Sequence, residues 1–215
     1  MCDRNAINLS IKGLLCYNCP QRGITMEVIL ERVRSFVLAA MEENDPAHDA
    51  RHVQRVVKTA MQICRAYPEA NLFRTQLLAW LHDMNDDKLD SNMGIGAVAE
   101  FLRSVGTPEA DSAFVVAGMP YISYRKHPKL GADIPLEIRI VQDADRIDAM
   151  GAVGIARTFS YGGAHGRTLN NSLTHFDEKL MLLYDLLSTE EAKRIAKPRH
   201  DFLKTFYAQF QTEIN

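Results

Sequence analysis

The sequence predicts an all-α, single-domain protein, and three observations carry that expectation. Apolar residues recur at spacings of three and four, no alternating strand pattern interrupts them, and Leu77-Leu78-Ala79-Trp80-Leu81 is apolar nearly all round. A helix of that last kind belongs at the centre of a bundle, covered on every side. A chain of 215 residues that is 47% hydrophobic also carries enough apolar side chain for one substantial core.

Residues 1–25, with Gly13, Pro20, Gly23 and little periodicity, read as an irregular arm before a domain of residues 26–214. From Met26 the positions Val28, Ile29, Val33, Phe36, Val37, Ala40 and Met41 give a helix to about Glu43, which Asn44-Asp45-Pro46 ends. A second helix takes Asp49 as N-cap, runs through Val53, Val56, Val57, Ala60, Met61 and Cys64 to Ala66, and stops at Pro68. The central helix spans about residues 71–84. Gly94 to Val105 forms a short amphipathic helix closed by Gly106. Thr107 as N-cap and Pro108 at the first helical position open the next, which ends near Met119-Pro120.

Tyr121 to Asp133 reads as a long basic and aromatic loop of functional character. Pro135 starts a helix expected to reach about Phe159, in which Gly151 and Gly154 point to close helix packing. Tyr161 to Arg167 is expected to be a flexible glycine-rich loop, without the flanking strand and Lys-Ser/Thr of a P-loop. Ser172 to Leu187 reads as helical, and Ser188-Thr189-Glu190-Glu191 as a capping box for the last helix. Pro198 is expected to kink or interrupt that helix near Arg194. The stripe Phe202, Phe206, Phe210 is assigned to the core, with a homodimer interface as the alternative.

The net charge of −2 gives no general attraction to nucleic acid or an anionic membrane surface, and no run is long enough to span a bilayer. Cys2, Cys16, Cys19 and Cys64 have no framework spacing and no secretory segment precedes them, which points to a reducing cytoplasm. Cys16 and Cys19 form one pair, whereas a structural zinc site needs four ligands.

The chemistry centres on the end of the apolar helix, where His82-Asp83 follows Leu81. Two other His-Asp pairs exist, His48-Asp49 and His200-Asp201, so the dipeptide alone proves nothing. Its company separates it: His52 upstream, and Gln142-Asp143-Ala144-Asp145-Arg146-Ile147-Asp148 downstream. An acidic group at the edge of a dry interior is unfavourable unless a metal or partner neutralises it. His, then His-Asp, then Asp supplies two imidazole nitrogens and two carboxylate oxygens, a set suited to one divalent cation: manganese, iron, cobalt, nickel, magnesium or zinc.

With His52-x-x-Arg55-Val56 and His82-Asp83-x-x-Asp86-x-Lys88, the chain resembles the HD-domain superfamily of metal-dependent phosphohydrolases. The segments 142–151, 154–159 and 175–180 resemble a bacterial subgroup of small single-domain members, and the likeness covers about residues 26–214. The resemblance implies an HD-type helical bundle with His52, His82, Asp83 and Asp145 as direct ligands of one divalent ion. It also implies general acid or base work for Asp86, one helical turn beyond His82.

Phosphate recognition needs cations. Arg55, one turn from a ligand, and Lys88, close after the doublet, rank first and join Asp86 as catalytic candidates. Arg125, Lys126, Arg157, Lys179 and Arg199 are the substrate-binding candidates. His48 and His127 are candidates for supporting contacts, while His165, His175 and His200 are not read as ligands. By resemblance the substrate is a nucleotide, preferably a (deoxy)nucleoside triphosphate cleaved with release of pyrophosphate. The alternatives are a nucleoside monophosphate or cyclic-nucleotide phosphohydrolase, and a non-catalytic nucleotide-sensing module.

Overall fold

The computed structural model describes residues 24–41, 50–85, 93–124 and 130–214. Most of the expected arm therefore lies outside the described residues, as do His48, Asp86, Lys88, Arg125, Lys126 and His127. Among the described residues the fold is all-α, with nine α-helices, two short 3-10 turns and no strand.

Helix α1 (Met26–Ala40) is capped by Thr25, whose hydroxyl accepts from Val28 N at 3.4 Å, and it buries Ile29, Val33, Phe36 and Val37 at helical spacing. Helix α2 (Ala50–Cys64) buries His52 together with Val53, Val56, Val57, Ala60 and Ile63. Helix α3 (Leu72–Leu81) starts at the Asn71 cap and buries Leu77, Leu78, Ala79, Trp80 and Leu81. It packs against α1, α2, α5 (Glu109–Gly118) and α6 (Leu136–Asp148), which is why its second half, Leu77 to Leu81, carries no polar face. No described helix is long and apolar enough to cross a membrane.

Helix α4 (Ile95–Ser104) lies between Gly94 and Val105. At the start of α5 the expected cap moves by one residue. Pro108, not Thr107, occupies the N-cap position, because its ψ of 141° is extended while its carbonyl already accepts from Ser112 N.

The helix expected from Pro135 to Phe159 is two helices. Helix α6 stops at Asp148, and α7 (Gly151–Ala164) starts after a turn at Ala149 and Met150. Gly151 adopts φ +70°, which a side-chain-bearing residue rarely takes, and an added Cβ would lie 3.1 Å from Arg199 Cβ. The break is thus set by a close crossing of α7 with the last helix. The glycine-rich segment is likewise not a flexible loop up to its end, since α7 continues through Gly162 and Gly163 to Ala164. A Cβ on Gly162 would collide with Ser172 Oγ, so that glycine serves the approach of α8 (Leu169–Glu178).

The helix expected over Ser172 to Leu187 starts earlier, at the Thr168 cap, and ends at Glu178 before a 3-10 turn at Leu180–Leu182. The buried Leu180 and Leu183 recur at a spacing of three, which a 3-10 turn satisfies as well as an α-helix does. Helix α9 (Glu190–Ile214) runs without interruption through Pro198. The proline lies on the exposed side, while Ala192, Ala196, His200 and Leu203, buried on either side of it, hold the helix against the bundle. Its cap is Thr189 rather than Ser188, with Thr189 Oγ1 accepting from Ala192 N at 3.4 Å. Phe206 and Phe210 pack against Phe159, as expected of core residues, but Phe202 is exposed.

Candidate metal centre

Three helices converge to place the four proposed donors. His52 stands in the first turn of α2, His82 caps the C-terminus of α3 with Asp83 in the turn that follows, and Asp145 sits on α6. Helices α2 and α6 make the most extensive pairing in the bundle, which brings His52 against the Asp145 face. His52 Nε2 lies 3.4 Å from Asp83 Oδ2 and 3.5 Å from Asp145 Oδ1. His82 Nε2 lies 3.3 Å from Asp83 Oδ1 and 4.0 Å from Asp145 Oδ1. The two rings meet edge to face, with centroids 5.5 Å apart.

Both imidazoles are oriented from behind. His82 Nδ1 is 2.9 Å from Ala79 O, so it carries the proton and donates, and Nε2 faces the carboxylates as a lone pair. That buried Nε2 makes no hydrogen bond among the described residues. His52 Nδ1 is 2.8 Å from Asp148 Oδ2, which aims its Nε2 inward in the same way. His52, His82 and Asp145 offer donor atoms that all lie within 4.8 Å of one another, spaced for sharing one cation held at roughly 2.0–2.2 Å from each, while Asp83 turns Oδ2 to His52 and Oδ1 to His82. The orphaned nitrogen, the tautomers and the mixed nitrogen and oxygen set all fit a divalent ion. The histidine side chains are 3% and 1% exposed, Asp83 16% and Asp145 30%, so the cluster opens on its Asp145 side.

The sequence alone gives Asp148 no role, although its spacing of three from Asp145 places both on one helix face. It is buried and also receives Arg55 Nε at 2.7 Å and Arg157 Nη1 at 2.6 Å. Burial works against its charge, yet hydrogen bonds from His52 and Arg55 and the charges of His52 and Arg157 outweigh it, holding the carboxyl far below its usual range. For His52, burial opposes the imidazolium, but hydrogen bonding to Asp148 and Asp83 and the Asp83 charge lift the ring to about 9 in the metal-free protein.

The contacts join Arg55 and Arg157 to His52 through Asp148. Arg199 reaches the end of α6, donating from Nη1 to Ile147 O at 2.9 Å, and Lys179 Nζ sits 5.1 Å from the centre of the Tyr124 ring. His165 stacks on Tyr161 and His200 on Tyr184. Neither they nor His175 belong to the metal-capable group of His52, His82 and Asp145.

A helical bundle that gathers two imidazoles and two carboxylates at the end of its central helix defines the class: the chain belongs to the HD-domain superfamily, whose HD domain model matches residues 49–150. It is 34% identical over 191 residues to Bacillus subtilis YpgQ, covering 86% of this chain and 93% of that protein. The crystal structure of B. subtilis YpgQ in complex with ADP superposes with a TM-score of 0.78 at 30% identity, over 88% of this chain and 97% of that one. An HD-superfamily hydrolase from Bacillus thuringiensis superposes with a TM-score of 0.72 at 35% identity, over 89% and 99% of the two chains.

Proposed function

We propose that this protein is a metal-dependent phosphohydrolase of nucleotides, with a (deoxy)nucleoside triphosphate as preferred substrate and pyrophosphate as a product. The observation that carries the reading is the convergence of His52, His82, Asp83 and Asp145, with a buried His82 Nε2 that makes no hydrogen bond among the described residues and faces the two carboxylates. The ADP held by B. subtilis YpgQ supports a nucleotide as the ligand class.

A divalent cation held by these four residues would supply Lewis acidity towards water and a phosphoryl oxygen. The protein residues do the rest. His52 and His82 present neutral nitrogens whose protons are fixed on the far side of each ring. Arg55 and Arg157 bring two positive charges to the single negative charge of Asp148, an excess that favours a phosphate anion. Asp86 acts as general acid or base, and Lys88, Arg125 and Lys126 add charge to phosphate binding. Lys179, just after α8, and Arg199 of α9 complete the substrate-binding set.

The test is phosphate and pyrophosphate release from deoxynucleoside tri-, di- and monophosphates, each with manganese, cobalt, nickel, magnesium and zinc, comparing wild type with Asp83→Ala. Pyrophosphate from triphosphates, lost in the variant, supports the reading. Inorganic phosphate from monophosphates moves the protein to a nucleotidase, and metal binding with no turnover moves it to a nucleotide-sensing module.

A further inference from the structure

We propose that Asp148 is the positioning residue of this site: one buried carboxylate that fixes the ring of His52 and holds the guanidiniums of Arg55 and Arg157 beside it. The inference deepens the metal-dependent reading and rests on it.

Oδ2 of Asp148 meets His52 Nδ1 at 2.8 Å, Arg55 Nη2 at 3.0 Å and Arg157 Nη1 at 2.6 Å, while Oδ1 meets Arg55 Nε at 2.7 Å. An ionised carboxylate only accepts, so every one of these partners donates. His52 therefore carries a proton on Nδ1, and Nε2 is the nitrogen turned to Asp83, Asp145 and the ion that they would share. Arg157 Nη1 also lies 3.1 Å from His52 Nδ1, and two donors that close stay together because both converge on the same oxygen. Removing the carboxylate would leave two cations and an imidazole N–H crowded around an empty acceptor.

The chain is built to bring these groups together. His52 and Arg55 are three residues apart on α2, so they share a face. Asp148 is the last residue of α6, and the turn at Ala149 and Met150 lets α7 return Arg157 to it nine residues later. Arg199 of α9 donates to Ile147 O and packs its stem on Gly151, which fastens that turn. The Arg55 and Arg157 side chains remain 35% and 19% exposed against 2% for Asp148, so the carboxylate is hidden while part of each arginine still meets solvent, from which a phosphate arrives.

The experiment titrates manganese into metal-free wild type, Asp148→Asn and Asp143→Asn by calorimetry, with thermal unfolding of each. Asp143 is a second buried carboxylate on α6 that serves the cap of α9, so it controls for loss of stability alone. We expect Asp148→Asn to weaken manganese binding about ten- to a hundredfold, the range found for groups that orient metal-bound histidines. Asp143→Asn is expected to lower the unfolding midpoint and leave manganese affinity at the wild-type value. Asp148→Asn with lowered stability and wild-type affinity overturns the inference and leaves the metal reading standing. Absence of manganese, cobalt and zinc binding by wild type overturns the metal reading itself. If Asp148→Asn does not fold, nitrogen NMR of histidine in zinc-loaded wild type decides. A protonated, hydrogen-bonded Nδ1 on His52 supports the inference, and a metal-bound or unprotonated Nδ1 overturns it.

Discussion

Asp143 Oδ2 accepts both the backbone N–H and the hydroxyl of Thr189, each at 2.8 Å, so a carboxylate from α6 closes the N-terminus of α9. Ser188 N adds a third donor, 2.9 Å from Oδ1. The helix that carries Asp145 is thereby tied to the longest helix of the bundle, through amides that a helix start leaves unpaired. Asp143→Ala would strand these buried donors and is expected to lower stability by roughly 2–4 kcal/mol. Urea unfolding measures it, and a change under about 0.5 kcal/mol would show the cap to be dispensable.

The glycines of α7 give a contrasting pair. Gly151→Ala places a Cβ at φ +70° and 3.1 Å from Arg199 Cβ, and is expected to lose about 1–3 kcal/mol. Gly163 has open space around its Cβ position inside the helix, so Gly163→Ala is expected to gain about 0.5–1 kcal/mol. Unfolding midpoints compare the two. Loss of stability in Gly163→Ala would contradict a helix running to Ala164.

This pair marks where the sequence misleads. Gly151 reads as a packing glycine and is one, but the helix break it brings is not legible because Arg199 is distant in sequence. Gly162 and Gly163, expected in a loop, are helical, and the Ser172 that Gly162 accommodates comes from the next helix. The bundle itself was legible, since the all-round apolar run at Leu77 to Leu81 and the stripe from Ile29 to Val37 follow directly from burial. The chemistry of Pro198 alone predicts a kink, yet burial of Ala196 and His200 on either side of it decides the outcome. At the site, His52, His82, Asp83 and Asp145 were legible as donor types in order. Asp148 was not, because its role depends on Arg157 returning from another helix.

His200 offers a pH test away from the metal centre. Burial, aided by the Lys204 charge, pushes its pKa below the ordinary 6.5 against the pull of Asp185 and Asp201. The folded state then binds fewer protons than the unfolded chain, so this contribution to stability is present above pH 6.5 and is lost as pH falls towards the folded pKa. His200→Phe, which keeps a ring against Tyr184, is expected to shrink the wild-type loss of stability between about pH 7 and 5. Parallel stability profiles for the two proteins would refute this.

The most direct test of the central claim is the metal itself. Wild type and His82→Gln, each stripped by chelation and dialysed against manganese, would be measured for bound ion per chain by elemental analysis. One ion per wild-type chain is expected, with a large loss in the variant, whose folding is confirmed by circular dichroism. Equal metal in both proteins, or none in wild type, would contradict a site built on His52, His82, Asp83 and Asp145.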